Sequence, residues 1–295
     1  MNKNHLRNIV LLIFMAMFAT NTKAQTTPEA YRLYDAKGNA TSYRNMINAL
    51  AKANVVLVGE MHNCPITHWL ELKILESLYQ RHGKALGVGF EMLEADNQLI
   101  LDEYMQGVIS AERFENEMRL WPNHSTDYAP LLLFARDKGL HVVATNVPRR
   151  YANVVKNRGL AFLDSLSTQA KTFLPPLPVP FIDNEHAHGA FALMGMMGKN
   201  ANADPVRMAQ AQAIKDATMA WFIAQNLAGA FVHFNGSYHS DNNDGIVAYL
   251  KRYCPEAKVM NVKAVRQENI GKLEEDYKGM ADFYICIPED MNTSY

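Results

Sequence analysis

The sequence predicts an α/β fold, with a mainly parallel sheet, flanking helices and a small inserted helical lobe. Apolar runs that are too short for helices recur along the chain, as at residues 55–58, and such runs are typical of strands buried on both faces. Segments with helical periodicity separate these runs. A polar or ionisable group follows each run where the strand must end, and ligands of open α/β sheets bind at that edge.

The N-terminal segment predicts export from the cytoplasm. Two basic residues precede the apolar run at residues 9–19, and the small residue Ala24 closes the segment. The run is too short to span a bilayer, which favours a secretory signal peptide over residues 1–24. A buried N-terminal helix is the alternative, but nothing polar breaks the run into one amphipathic face. We expect the mature protein to begin near Gln25, without acylation because no cysteine follows.

Composition limits the classes of partner. The chain has 295 residues, 48% of them hydrophobic, and a formal net charge of −1. About 270 residues remain after removal of the signal peptide, and we expect one α/β domain over residues 25–295. The near-neutral charge leaves no basic field for nucleic acid, so we expect small-molecule or protein partners. Three scattered cysteines are too few for a disulfide framework, and Cys64 is expected to fill core space.

The first half of the chain alternates between helices and strands. A weakly alternating segment at residues 31–40 predicts a hairpin that covers a sheet edge. Residues 86–93 repeat the pattern of residues 55–58, an apolar run followed by a carboxylate, Glu91. Periodicity and end signals predict helices at residues 42–53, 65–81, 96–105, 110–118 and 126–138.

The second half interrupts this pattern. Residues 140–146 and 229–236 are the third and fourth predicted core strands. Residues 159–202 fit no strand and include a proline-rich stretch, which predicts the helical insertion at about 157–203. The remaining predicted elements are helices at 204–227 and 241–253 and strands at 258–265 and 282–287.

Four of the predicted strands release polar groups at their carboxyl ends, which predicts a shared crevice. These groups are Glu60 and His62, Glu91, Asn146 with Arg149, and His233 with His239. Carboxylates and imidazoles together suit a divalent cation, or a water activated between them. The alternative is general acid–base chemistry without a metal, in which His62 and His239 titrate near neutrality. The sequence has no glycine-rich phosphate loop, zinc-cysteine spacing or Gly-x-Ser-x-Gly elbow.

The predicted lobe and the exit of the third strand add further candidate ligands. His186 and His188 are too close in sequence to be neighbours on one helical face, so we favour a surface helix end over a paired metal site. The methionines at residues 194–197 suit adaptable packing, although a soft wall would also suit a large flat cofactor. Arg149 and Arg150 either begin a solvated helix or bind an anionic group of a ligand.

Five motifs, in order along the chain, resemble those of the ChaN family. They are residues 59–63 (Gly-Glu-Met-His-Asn), 90–92 (Phe-Glu-Met), 144–149 (Ala-Thr-Asn-Val-Pro-Arg), 212–220 (Gln-Ala-Ile-Lys-Asp-Ala-Thr-Met-Ala) and 236–239 (Gly-Ser-Tyr-His). The family belongs to the haem-binding-uptake and Tiki superfamily, which also includes erythromycin-esterase-like enzymes. The resemblance covers most of the mature chain. Lys215 departs from the arginine that the family usually has before the aspartate.

The resemblance implies an exported bacterial protein, periplasmic or membrane-associated, that binds haem for iron uptake. ChaN-like proteins are thought to use a tyrosine in the helix before the third strand as the iron ligand, and Tyr128 holds that position here. Haem in a shallow cleft leaves one face exposed, so we expect it to promote a homodimer, with outer-membrane haem-uptake proteins as further partners. Other candidate haem contacts are Tyr151, His186, His188 and Tyr238 for the iron and Arg149 for the propionates.

The Tiki-like and esterase-like relatives imply the alternative, a divalent-metal hydrolase. Carried over by position, the catalytic roles fall on Glu60, His62, Glu91 and His239. The last three of these would bind a manganese or cobalt ion. A stable fold with a degenerate site is a third interpretation. We favour haem binding because the resemblance is closest there.

Overall fold

The computed structural model describes residues 28–182 and 204–294. The predicted signal peptide, His186, His188 and the methionines at residues 194–197 lie outside the described residues. All the elements below belong to one compact unit, which begins at Tyr31. Among the described residues, no helix has both the length and the apolar character needed to cross a membrane.

A mainly parallel sheet is the centre of the fold. In the described part of the chain its strands are β1 (Arg32–Asp35), β2 (Val55–Glu60), β3 (Leu86–Glu94), β4 (His141–Asn146), β5 (Ala230–Gly236), β6 (Val259–Gln267) and β7 (Phe283–Pro288). The strand order is β1-β7-β6-β2-β5-β3-β4. Every pairing is parallel except that of β1 with β7. The predicted α/β fold class is therefore confirmed.

Helices connect these strands. In the described residues they are α1 (Tyr43–Leu50), α2 (Pro65–His82), α3 (Gln98–Met105), α4 (Ala111–Glu117), α5 (Ala129–Lys138), α6 (Arg149–Arg158), α7 (Thr168–Lys171), α8 (Pro205–Gln225) and α9 (Ile246–Tyr253). The sequence signals explain two of the starts. Pro65 begins α2, where its missing N–H costs no hydrogen bond, and the side chain of Asp204 caps α8 by accepting from the N–H of Val206 at 3.0 Å.

Strand β2 is buried along its whole length, as its apolar run predicts. Val56 and Val58 pack into one apolar cluster with Ile74 of α2, whereas Leu57 packs into a second cluster with Ile214 of α8. Because successive side chains of a strand point to opposite faces, the sheet is covered by helices on both faces. Burial of each of these side chains stabilises the fold by about 1.5–3 kcal/mol relative to exposure.

Two segments differ from the sequence expectation. The predicted hairpin at residues 31–40 is reduced to β1 and a single bridge between Tyr34 and Ala40, although β1 does pair with β7 at the sheet edge. The predicted helix at residues 126–138 begins as a π-helical segment, His124–Tyr128, before α5. The local cause is Pro130, which cannot donate the N–H that a continuous α-helix would need at that position.

The inserted lobe is described only in part. Residues 159–182 contain the 3₁₀ segment Leu160–Ser165 and the short α7, with no strand among them. The rest of the predicted insertion lies outside the described residues, so its boundaries at about 157–203 remain a prediction. The same holds for the limits of the mature domain.

The strand order brings four carboxyl ends together. β2, β5, β3 and β4 are parallel neighbours in this order. The turn Ser237–His239 follows β5 directly, and α6 begins at Arg149 soon after β4. Residues that are far apart in sequence therefore meet at one edge of the sheet.

Candidate functional site

A cavity of about 930 Å³ lies at this edge of the sheet. His62, Glu91, Asn146, Arg149 and His239 are among the residues that line it. Four of these side chains lie at or beyond the ends of β2, β4 and β5, whereas Glu91 lies within β3, near its carboxyl end. The volume falls in the range of small-molecule and cofactor pockets, about 300–1,000 Å³.

His239 bridges two buried carboxylates at the base of the cavity. Its Nε2 lies 3.1 Å from Oε1 of Glu91, and its Nδ1 lies 2.5 Å from Oδ1 of Asp216. The other oxygen of Glu91 accepts a hydrogen bond from the backbone N–H of Gly236 at 2.8 Å. Strand β3, the turn after β5 and helix α8 are thereby held together beside the cavity.

The charges in this group depend on one another. Burial alone would lower the pKa of His239, but the charges of Glu91 and Asp216 outweigh burial and raise it to about 10. Burial alone would raise the pKa of Glu91, but the charges of His239 and His62 hold it well below its usual range. Burial raises the pKa of the Asp216 carboxyl, which makes Glu91 the firmer anion. At neutral pH the His239 ring is therefore a cation held between two acceptors.

His62 faces the cavity from the turn after β2. Its Nδ1 lies 2.5 Å from Oε1 of Glu60, and its ring stands edge-on to Trp121 with the ring centroids 4.8 Å apart. Burial alone would lower the pKa of His62, but the hydrogen bond to Glu60 and the charge of Glu91 raise it above the ordinary value. Because Glu60 occupies Nδ1, Nε2 is the ring nitrogen left to meet a ligand.

Gly236 leaves the space that the His62 ring needs. A Cβ atom built on Gly236 would lie 2.8 Å from Nε2 and 2.9 Å from Cε1 of His62. Real side chains do not approach so closely, so a larger residue would displace the imidazole. The glycine of the Gly-Ser-Tyr-His motif thus has a steric role in the site.

Glu60 does not line the cavity but supports it from behind. The residue is 2% exposed, and its Oε1 accepts hydrogen bonds from His62 and from the hydroxyl of Tyr128, the latter at 2.7 Å. Burial alone would raise the pKa of Glu60, but the hydrogen bonds from His62 and His68 lower it to about 2. Glu60 is therefore an anion that orients His62.

Tyr128 is buried and is held behind the cavity by its hydrogen bond to Glu60. It is 1% exposed and is not among the residues that line the cavity. Burial and the charge of Glu60 raise its pKa, which opposes the tyrosinate form that binds ferric iron. Its hydroxyl donates a hydrogen bond to Oε1 of Glu60, and its role as the iron ligand stays a prediction.

His233 was expected among the polar groups at the strand ends, but the structure places it elsewhere. It lies inside β5 and is fully buried. Its Nε2 is 2.7 Å from Oγ1 of Thr145, and its Nδ1 is 3.1 Å from Oδ1 of Asn235. Burial lowers its pKa to about 4, so the ring is neutral at physiological pH. The ring packs inside the fold and does not line the cavity.

Among the described residues, three lysine and arginine side chains line the cavity: Arg149, Lys156 and Lys215. Arg149 is also hydrogen-bonded through Nε to the buried carboxylate of Glu94, which accepts a second bond from Nε of Arg119 at 3.0 Å. Two of the three cations come from α6 and one from α8, so the positive charge is spread along the helical side of the cavity. That side can attract an anionic ligand group.

Arg150 and Tyr151 point away from this cavity. Arg150 pairs with Asp96, and its guanidinium lies over the ring of Tyr151 at 4.5 Å from the centroid. Neither residue is among those that line the cavity. Of the two adjacent arginines, only Arg149 therefore meets the ligand space.

Apolar side chains also line the cavity. Its lining includes Leu120, Trp121, Pro122, Val147, Met208 and Ala211. Tyr238 lines the cavity next to His239, with the two rings edge-on and their centroids 5.9 Å apart. Burial raises the pKa of Tyr238.

Several residues in and behind the candidate site are not predicted by the strand-end pattern. Asp216 was noted only as part of a motif, although an aspartate on the apolar face of a long helix, between Ile214 and Ala217, is a signal for a buried partner. His68 and Glu71 carry the same signal on α2, where both are buried. The apolar wall at residues 120–122 follows a loop and has no periodicity that sequence could reveal.

Comparison with family models gives one match over most of the chain. The model described as haem-binding uptake, Tiki superfamily, ChaN matches residues 46–250. This range is more than half of the 295 residues. It contains every residue named above as lining the cavity.

The individual relatives have low sequence identity to this chain. Protein RETICULATA-RELATED 5, chloroplastic, from Arabidopsis thaliana, is 26% identical over 228 residues, which are 70% of this chain but only 30% of that protein. The structure of ChaN of Campylobacter jejuni, described with cofacial haem binding, has a TM-score of 0.67 and 18% identity, and the match covers 86% of this chain and 96% of that one. A Bacillus cereus protein has a TM-score of 0.50 and 12% identity, over 83% of this chain and 90% of that one. At such identities the likeness of structures shows the fold alone.

Proposed function

This chain belongs to the haem-binding uptake family of the Tiki superfamily that includes ChaN, and from that membership we propose that it binds haem in the cavity at the carboxyl edge of the sheet. One observation carries the proposal. An apolar wall, three cationic side chains and an imidazole all face the same space of about 930 Å³. The cofacial haem binding described for the Campylobacter jejuni protein supports it.

The lining fits the chemistry of a haem. The macrocycle is flat and apolar, and Trp121 and Met208 offer an aromatic and a polarisable surface to it. The two propionates are anionic, and Arg149, Lys156 and Lys215 offer cationic partners on the helical side. When bound, the haem would supply an iron that accepts a ligand from the protein.

We propose that His62 would hold the haem iron. Its Nδ1 is held by Glu60 at 2.5 Å, so Nε2 is directed to the cavity. A carboxylate on the far nitrogen fixes the tautomer of an imidazole ligand and raises its basicity. His239 is a poorer ligand because both of its nitrogens face carboxylates. Tyr238 is a poorer ligand because burial raises its pKa.

The cellular role that we propose is haem uptake outside the cytoplasm of a bacterium, in the periplasm or at a membrane. The support is the signal-peptide pattern at residues 1–24 together with family membership. A haem ligated on one face can be covered by a second copy of the protein, so we propose that haem promotes a homodimer. Outer-membrane haem-uptake proteins are the proposed source or recipient of the ligand.

A hemin titration of the purified mature chain tests the proposal. We expect saturation at one haem per chain in the absorbance spectrum, and a rise in sedimentation coefficient as the haem-bound chain dimerises. His62→Ala should remove the axial ligand and change the Soret band and spin state. His141→Ala is the matched control, because His141 is an exposed imidazole far along the strand from the cavity.

Two results would contradict the assignment. Failure of the wild-type chain to saturate with hemin would contradict the proposed function. A spectrum that is unchanged in His62→Ala but lost in Tyr238→Phe would move the iron ligand to Tyr238 and leave haem binding in place.

A second candidate function has one supporting observation: His62, Glu91 and His239 line the same cavity. These are the residues expected to hold manganese or cobalt in a Tiki-like hydrolase. His62→Ala and His239→Ala should then abolish manganese- or cobalt-supported ester or amide hydrolysis. Unchanged turnover in both variants would leave the hydrolase without a catalytic centre.

A further inference from the structure

We infer that a divalent metal ion of the zinc and manganese class binds behind the cavity, between Glu60, His68 and Glu71. One potential ligand atom from each of these three buried residues lies within 4.8 Å of the other two. Neither His68 nor Glu71 lines the cavity, so this position is separate from the space proposed for haem. The inference does not depend on haem binding.

The hydrogen bonds of His68 determine which ring nitrogen is available. Nε2 lies 3.1 Å from the carbonyl oxygen of His62 and 3.4 Å from Oδ2 of Asp127. A carbonyl oxygen can only accept, so Nε2 must carry the proton. In the neutral ring, the lone pair is then on Nδ1.

That lone pair faces two carboxylates. Nδ1 of His68 lies 2.9 Å from Oε2 of Glu71 and 3.3 Å from Oε2 of Glu60. Three electron-rich atoms cannot converge in a dry interior unless a positive charge lies between them. A cation, either a proton or a metal ion, is therefore required at this point.

The charge balance favours a divalent ion over a single proton. The side chains of Glu60 and Glu71 are wholly inaccessible to solvent, and in the described part of the chain neither forms an ion pair with lysine or arginine. One proton on Nδ1 neutralises one of the two carboxylates. It also leaves Oε2 of Glu60, which the ion would bind, buried without a hydrogen-bond partner among the described residues, and this is costly for a carboxylate oxygen.

The ligand set and its surroundings suit such an ion. Two carboxylate oxygens and one imidazole nitrogen are ligands that zinc and manganese accept. Ligand atoms about 2.1 Å from a tetrahedral ion are about 3.4 Å apart, close to the 2.9 and 3.3 Å observed. The outer contacts also match, because metal-binding histidines usually donate their other N–H to a carbonyl or carboxylate, as His68 does to His62 and Asp127.

An ion at this position would act on the cavity through Glu60. Oε2 of Glu60 would bind the ion while Oε1 keeps its hydrogen bonds to His62 and Tyr128. The orientation of Glu60, and with it that of His62, would then be fixed from inside the protein. The metal is thus proposed as a structural ion that positions a cavity residue.

The test measures metal retention, with no haem present. The full chain is unfolded in guanidinium chloride with chelator, freed of chelator, and refolded with CoCl₂, ZnCl₂ or MnCl₂, because a buried site is filled most readily during folding. We expect about one ion per chain after gel filtration. Glu71→Gln and His68→Gln should each weaken retention by about a hundredfold. Glu91→Gln, which removes a carboxylate from the cavity, should retain the ion.

A second measurement uses the wild-type chain, so that it does not depend on whether the variants fold. Pulsed EPR of the manganese-loaded protein should show coupling to one histidine nitrogen, since this site offers His68 alone, whereas a cavity site would offer both His62 and His239. No retained ion in the folded wild-type chain would overturn the inference. So would retention that is lost in Glu91→Gln but kept in Glu71→Gln, or an EPR signal with two histidine nitrogens. Because hemin is absent throughout, failure here leaves the haem proposal untouched.

Discussion

Nδ1 of His239 lies 2.5 Å from Oδ1 of Asp216, although the two residues are 23 positions apart and belong to different layers of the fold. Asp216 projects from α8, and His239 follows β5. With Glu91 on the other nitrogen at 3.1 Å, the contact joins a helix to two strands. It couples the stability of the fold to the geometry of the cavity.

Asp216→Asn should destabilise the protein. The change keeps the shape of the side chain but leaves the protonated His239 ring with a single carboxylate, and breaking a buried ion pair costs about 3–5 kcal/mol. We expect a loss of about 3 kcal/mol in the free energy of unfolding, measured by urea denaturation. Glu76→Gln, which removes a partly exposed pair with Lys73 on α2, should cost under about 0.5 kcal/mol. Equal losses in the two variants would contradict the role given to Asp216.

The stability should also depend on pH through His239. Its pKa is raised to about 10 in the folded chain, against an ordinary value of about 6.5 when unfolded. A raised pKa means that the folded state binds the proton more tightly, so the stabilisation is complete below about pH 6.5 and is lost as the pH rises towards 10. We therefore expect the free energy of unfolding to fall between pH 7 and 10.5 more steeply in the wild type than in His239→Gln. Parallel curves would show that His239 is not protonated in the fold.

The sequence predicted the fold and part of the site for identifiable reasons. Four apolar runs predicted parallel strands, and parallel strands place their carboxyl ends at one edge, which is why His62, Glu91 and His239 meet. The position of Glu60 behind His62 was not predictable in this way. Residues two positions apart point to the same face of an extended strand, so Glu60 and His62 separate only because the backbone leaves the strand after Glu60.

Periodicity in the sequence does not predict which side chains the loops and helix faces place at the site. Trp121 stands against His62 because of the path of a loop, and loop paths depend on tertiary packing. Tyr128 was expected at the iron because of a family resemblance, whereas a π-helical segment turns its hydroxyl to Glu60. Such segments have no reliable sequence signal.

Gly236→Ala should impair the cavity without changing any ionisable group. The new Cβ atom would meet Nε2 of His62 at 2.8 Å, so the imidazole must move, and overpacking of this kind costs about 1–3 kcal/mol. We expect haem affinity to fall about tenfold, with a changed Soret band in the hemin titration. Gly229→Ala is the matched control, because a Cβ there would meet its neighbours at ordinary distances of 3.9–4.0 Å. Equal hemin binding by the two variants would contradict this steric role of Gly236.

The mature chain should begin near Gln25 when the protein is made in its native host. Cleavage after Ala24 is expected because a small residue closes a basic, then apolar, N-terminal segment. Intact-mass measurement of protein from the extracytoplasmic fraction decides the point. A mass that retains residues 1–24, or recovery with the cytoplasmic fraction alone, would rule out the proposed export.

Arg149→Gln should weaken haem binding more than Arg150→Gln. The two arginines are adjacent, and each pairs with a carboxylate, Glu94 or Asp96, so both variants lose one cation and one ion pair. Only Arg149 lines the cavity, and a charge-assisted contact to a propionate contributes about 1.5–3 kcal/mol. We expect hemin affinity to fall at least about tenfold in Arg149→Gln and less than about twofold in Arg150→Gln at low salt. The difference should shrink as ionic strength rises, because salt screens an exposed ion pair. Equal effects of the two changes would mean that the haem carboxylates lie away from α6, and that Lys215 of α8 is the cation to test next.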